Sequence, residues 1–108
     1  MVALQIQQKR ANETRNVAVD FTNVLPEGYT LTGTTTATEQ TTSDLTIASV
    51  SIGSGSRVIN NKTVDADKWV SFSIAGGTTG KSYTVDVSTN SNESPAETYH
   101  QHITIEVL

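Results

Sequence analysis

Cysteine is missing from the 108-residue chain. That excludes a disulfide framework and thiolate metal sites, and it fits a reducing compartment or a particle assembled inside a cell. Positive charge is in deficit, with seven Lys and Arg against eleven Asp and Glu, a formal net charge of −4 and a pI near 4.9. The cations are scattered and only Lys9 and Arg10 are adjacent. Without a basic stripe, neither nucleic acid nor an anionic membrane is expected as a partner. No apolar run approaches the ~20 residues that span a bilayer. The first ten residues lack the charged start and apolar stretch of a signal peptide, so export by the general pathway is not expected. Methionine occurs once and aromatics make up 6% of the chain. No segment shows a capped 3.6-residue period, so helices are not expected.

Hydroxyl side chains are what the chain has in excess. Thr and Ser together make up roughly a quarter of it, well above average use. Thr is β-branched and favours strands. Period-2 alternation recurs along the chain. Val17, Val19 and Phe21 alternate with Ala18 and Asp20, before a turn at Leu25-Pro26-Glu27-Gly28. Tyr29, Leu31 and Gly33 then oppose Thr30, Thr32 and Thr34. The Thr-rich residues 34–43 either extend that strand or loop out of it. Leu45-Thr46-Ile47, Val50-Ser51-Ile52 and Arg57-Val58-Ile59 are short apolar pieces separated by a Gly-Ser loop. Val70, Phe72 and Ile74 share a face, as do Tyr83, Val85 and Val87, and later Gln101, Ile103, Ile105 and Val107. About seven short strands with turns between them predict an all-β, immunoglobulin-like antiparallel sandwich. The antibody Cys-Trp-Cys signature is missing, so that likeness is one of architecture. Residues 16–108 are expected to form this single domain. Residues 1–15 are expected to be an N-terminal arm, mobile or lying on a neighbour, or an edge strand.

One stretch looks chemical. Ala75-Gly76-Gly77-Thr78-Thr79-Gly80-Lys81-Ser82 is one methyl group away from the phosphate-loop pattern G-x-x-x-x-G-K-[ST]. A phosphate loop needs a helix after it, whose N-terminal amides and dipole meet the phosphate. Here Ser82-Tyr83-Thr84-Val85-Asp86-Val87 alternates as a strand, and the chain has no room for several βα units of ~30 residues each. The stretch therefore reads as a structural turn between strands, with Gly76, Gly77 and Gly80 supplying positive φ. No cofactor is expected.

The remaining candidates are sparse. His100 and His102 point the same way from one strand, with Glu106 beyond them. They are the candidate metal ligands, but two imidazoles make an incomplete site, so no metal is expected and a surface or interface role is preferred. Asp65-Ala66-Asp67 lacks the spacing of a calcium loop. Asn12, Asn61 and Asn92 begin glycosylation-type triplets that arise by chance in so Thr- and Ser-rich a chain. Asp20, Asp86 and the two His hold pieces of a triad, yet no spacing unites them, and no catalytic residue is assigned. Trp69, on an otherwise polar strand face, either caps the core at a sheet edge or is an exposed contact for a partner.

The order of these elements resembles the fibre-to-tail adaptor proteins of tailed bacteriophages. The residues that carry the likeness are Val17-Ala18-Val19-Asp20-Phe21, the turn from Leu25 to Gly28, and Tyr29-Thr30-Leu31. Then come Ser71-Phe72-Ser73-Ile74, the Ala75 to Tyr83 connection, which looks like the family's "SGGTxGxxY" hairpin with Ala75 in place of Ser, and the closing strand 103–107. The resemblance spans about residues 9–108, and residues 34–68 are not matched position by position. It implies a non-enzymatic virion protein, made in the bacterial host cytoplasm and present as a symmetric multimer. Its partners would be other virion proteins of tail, fibre, neck or capsid. Capsid or tail-tube decoration by the same kind of domain is the alternative, followed by a carbohydrate- or cell-surface-binding module.

Overall fold

The computed structural model describes residues 5–39, 44–59 and 61–108. These hold nine strands and no helix. They are β1 (Gln5–Lys9), β2 (Arg15–Asp20), β3 (Leu31–Glu39), β4 (Leu45–Ile52), β5 (Arg57–Ile59), β6 (Lys62–Val64), β7 (Trp69–Gly76), β8 (Ser82–Ser91) and β9 (Thr98–Val107). One sheet runs β1-β9-β8-β3, the other β2-β7-β4, and β5 and β6 form a separate hairpin. With β2, β7 and β4 read as strands B, E and D, and β3, β8 and β9 as C, F and G, these are the strand orders of the immunoglobulin sandwich. The first strand, β1, lies parallel to the last, β9.

Alternation places the core. Val17, Val19 and Phe21 pack with Val70, Phe72 and Ile74 from the smaller sheet. Tyr83, Val85 and Val87 and Ile103, Ile105 and Val107 meet them from the larger one. All twelve are buried, and their strand neighbours face outward as Thr, Ser and charged residues. Each sheet thus shows one apolar and one polar face, as two packed antiparallel sheets require.

The strand count exceeds the expected seven for local reasons. The pieces at 45–47 and 50–52 are one strand, because Ser49, at φ 58, makes a bulge between Ala48 and Ser51. The extra residue shifts the phase, so Val50 and Ile52 pack on the core as Ile47 does. Residues 62–64 carry little apolar pattern, yet they pair with 57–59 as β6. In β3 the register slips between Thr32 and Thr36, with Gly33 at φ 78. Residues 40–43, the end of the Thr-rich stretch, fall outside the described residues. Tyr29, expected inward with Leu31, is 39% exposed while Leu31 is buried. Strand β3 begins only at Leu31, whose N–H donates to Asp67 O at 2.7 Å, so Tyr29 remains in the turn after Gly28.

Candidate interaction surface

The motif 75–82 sits where the chain leaves one sheet for the other. Strand β7 ends at Gly76 and β8 starts at Ser82, with no helix at Lys81. Because β7 and β8 belong to different sheets, the connection is an inter-sheet corner rather than the hairpin the sequence suggested. Gly76, Gly77 and Gly80 take φ of 79°, 95° and 86°. Their amides and neighbours are occupied internally. Gly77 N–H donates to Asp44 O (3.1 Å), Thr78 N–H to the Tyr83 hydroxyl (2.8 Å), Gly80 N–H to Val107 O (2.8 Å) and Lys81 N–H to Thr78 O (3.1 Å). A phosphate would find four donors already bonded, so the stretch lacks the convergent amides of an anion cradle. Tyr83 also donates its hydroxyl to Asp44 Oδ2 at 2.9 Å. The Tyr83 hydroxyl, at the start of β8, thus bonds back across the corner, an arrangement similar to the tyrosine corner of immunoglobulin-like sandwiches.

Lys9 reinforces this corner, and nothing in the sequence marked it. Its side chain is 1% exposed, and the ammonium donates to Arg10 O and Gly76 O, both at 2.6 Å. Carbonyl oxygens satisfy the buried cation and tie β1 to the end of β7.

Trp69 lies inward. It is 9% exposed, and its indole N–H donates to Gly55 O at 2.7 Å. Ile59, Val64 and Ala18 surround it under the β5–β6 hairpin, which covers this end of the smaller sheet's outer face. A Cβ on Gly53 would fall 2.0 Å from the ring, so only glycine admits the indole there. The Arg57 guanidinium lies 5.5 Å from the ring centroid. The sequence allowed a cap on the core at a sheet edge or an exposed contact; Trp69 sits instead on the central strand of the smaller sheet, under the β5–β6 hairpin. What it offers outward is the Arg57 stacked on it.

His100 and His102 face out from β9, 55% and 61% exposed, and both reach Asp86 on β8. His100 Nδ1 lies 3.1 Å from Asp86 Oδ2, and His102 Nε2 lies 3.1 Å from Oδ1. The strand register does this: Asp86 is directly opposite His102. The sequence left Asp86 unassigned because register between distant strands cannot be counted from spacing. Asp20 is not part of the group, since its Oδ1 accepts from Thr22 N–H at 2.8 Å. Among the described residues no three His, Cys, Asp or Glu side chains are arranged to hold a metal. The cluster is a polar feature of an open, hydroxyl-rich sheet face.

Among the described residues the exposed large apolar side chains are Ile6, Tyr29, Val58 and Leu108. Ile6 and Leu108 line one groove beside β1. Among the described residues no helix is long and apolar enough to cross a membrane. A family model described as podophage GP4 fiber-tail adaptor protein gp77 matches residues 9–106. The chain belongs to this adaptor family. Searches of curated proteins and of solved structures returned no match. The family is one of structural components of the phage particle, and an adaptor in it binds other tail and fibre proteins. The match begins at Lys9 and ends at Glu106, so it takes in strands β2 to β8, nearly all of β9 and the glycine corner, but only the last residue of β1.

Proposed function

We propose that the chain is a non-enzymatic structural adaptor of the virion. It is made in the host cytoplasm, docks onto the tail in several symmetric copies, and links the tail to fibre through protein–protein contacts. Neither nucleic acid nor membrane is its partner. The observation that carries this reading is the fiber-tail adaptor family match across residues 9–106. The geometry supports it in two ways. The one nucleotide-like motif is an inter-sheet corner with its amides occupied. The polar clusters lie on open sheet faces instead of in an enclosed site, with His100 and His102 more than half exposed. A rigid sandwich that presents faces and edges is suited to holding two other proteins in fixed relation.

Deletion of the gene tests the proposal. Particles from the deletion phage are expected to retain capsid and tail but to lack fibres in electron micrographs, and purified chain added back is expected to restore them. Particles that keep their fibres without the chain would overturn the linking role. Recovery of the chain on capsids alone would move it to decoration.

A further inference from the structure

We infer that the free edge of β1 is the docking strand of this adaptor, and that its occupant is an extended segment of another virion protein added as a further strand to the β1-β9-β8-β3 sheet. The segment carries an apolar side chain near Ile6 and Leu108 and an acidic residue near Arg10 and Arg15. The inference rests on the adaptor reading and assigns its contact surface.

The two sheets have four edges, formed by β1, β3, β2 and β4. Open edges invite strand pairing, and proteins blunt them with bulges, charge or cover. Strand β3 is broken by its register slip between Thr32 and Thr36, and β4 by the bulge at Ser49. Strand β2 carries Arg15 and Asp20 at its ends. Strand β1 has neither bulge nor outward charge, and its one protective feature is the inward-pointing Lys9 at its end. Its register with β9 runs unbroken from Gln5 to Lys9, through the uncharged Gln5, Ile6, Gln7 and Gln8. The one charge it bears, on Lys9, is turned inward and buried. That buried lysine also anchors the strand to Gly76 O, so the edge is held in place.

The backbone direction follows from the ladder. Lys9 O accepts from Leu108 N–H at 2.8 Å, so Lys9 faces β9. In a parallel pair alternate residues turn to opposite sides, which directs the N–H and C=O of Ile6 and Gln8 away from β9. Among the described residues the Gln8 carbonyl is met there only by the neighbouring side chain, Gln7 Nε2, at 2.8 Å. An incoming strand would replace that local bond.

The groove along this edge, of about 510 Å³, shows what the strand must carry. Ile6 and Leu108 line it and are 52% and 55% exposed, an apolar contact open to solvent. Arg10 and Arg15 line the same groove. Arg15 reaches Glu13 at 3.4 Å, and the nearby Arg10 charge also acts on Glu13, so one carboxylate faces two guanidinium groups. With Lys9 turned inward, the groove thus carries two cations against one acid in a protein that is acidic overall. Backbone bonds give such strand addition its affinity and alternate side chains its specificity. A second copy of this chain would bring the same groove, in which the two cations Arg10 and Arg15 outnumber the one acid, Glu13, so charge complementarity favours a different, acidic segment.

The test uses the full chain and two probes, particles purified from the deletion phage and isolated fibres, with binding read by co-sedimentation. Gln8→Pro removes the outward N–H and leaves the bonds of Gln7 and Lys9 to β9 in place. Arg10→Glu changes only an exposed charge, so it keeps the inference falsifiable if the proline variant unfolds. Each variant is expected to reduce binding to one of the probes roughly tenfold. Hydrogen exchange is expected to slow at the Ile6 and Gln8 amides only in the complex, and to be slow at Gln7 and Lys9 throughout. Wild-type binding by both variants, or unprotected Ile6 and Gln8 amides in a complex that does form, overturns the β1 assignment and leaves the adaptor reading standing. A chain that binds neither probe overturns both. Protection of Ile6 and Gln8 in the free chain that rises with its concentration identifies a second copy as occupant and overturns the choice of partner.

Discussion

At the scale of single residues, the glycines of the 76–80 corner separate two reasons for having no side chain. Gly80 faces open space, and nothing lies within 4 Å of an added Cβ, but its φ of 86° strains any L residue. Gly80→Ala is therefore expected to cost about 1–2 kcal/mol. Gly76 has the same φ problem, and its added Cβ would also fall 2.6 Å from Asp44 O, a backbone atom that cannot rotate away. Gly76→Ala should lose clearly more than Gly80→Ala in urea melts. Equal losses would mean that conformation alone governs the corner. Tyr99 makes a different residue-level prediction. Its hydroxyl donates to Glu93 Oε1 at 2.6 Å, and this bond to a carboxylate pushes the phenol's pKa up to about 12 from 10.0. A raised folded-state value means that the folded chain holds the proton more tightly. The contribution is fully present below pH 10 and is lost as pH rises through 12. Stability should fall over that window, and Tyr99→Phe should remove that part of the fall. An unchanged slope in the variant would show the bond to be inconsequential.

At the scale of elements, some pieces were legible in the sequence and others were not. The alternation in 70–74, 82–88 and 101–107 was readable because both sheets bury one face and leave the other wet. The continuity of β4 was hidden in plain view: apolar positions at 45 and 47 and then at 50 and 52 change parity, which is the mark of a bulge. Strand β6 was missed because only Val64 of its three residues is buried, and its pairing comes from the hairpin over Trp69. The His100–Asp86–His102 cluster depended on the β8–β9 register, and the Lys9 cage on a contact 67 residues away in sequence. The corner was legible as glycine geometry but not as a junction between sheets, because nothing in 75–82 states which sheet β8 joins. Tyr83 ties that junction by accepting from Thr78 N–H and donating to Asp44. Tyr83→Phe keeps the buried ring and removes both bonds. It should cost about 1–3 kcal/mol, since Thr78 N–H loses its acceptor. A variant with wild-type stability would show that the glycines hold the corner unaided.

At the scale of the molecule, the first and last strands are neighbours. Strand β1 pairs with β9, and Gln5 lies opposite Ile103. The segment after β6 then binds both sheets to the hairpin. Asp67 O accepts from Leu31 N–H, Lys68 O from Phe21 N–H, and Trp69 O from Gly53 N–H. Trp69 is the only tryptophan, and it lies in the satellite cluster rather than in the main core. Its fluorescence therefore reports on the hairpin, while far-ultraviolet circular dichroism reports on the two sheets. If the backbone bonds through 67–69 couple them, the two signals should change together in urea with one midpoint, as for a two-state domain. An earlier Trp69 transition would mean that the hairpin opens separately and that the adaptor is a sandwich with a loose flap. Pairing of distant segments also sets the kinetics. The pairings β1–β9, β2–β7, β3–β8 and β4–β7 each join segments distant in sequence, so loop closure precedes most stabilising contacts. Refolding should occupy milliseconds to seconds, the range of sandwiches with many non-local pairings. A microsecond phase carrying the full Trp69 signal would place the hairpin's formation ahead of the sheets and break the coupling that the 67–69 segment implies.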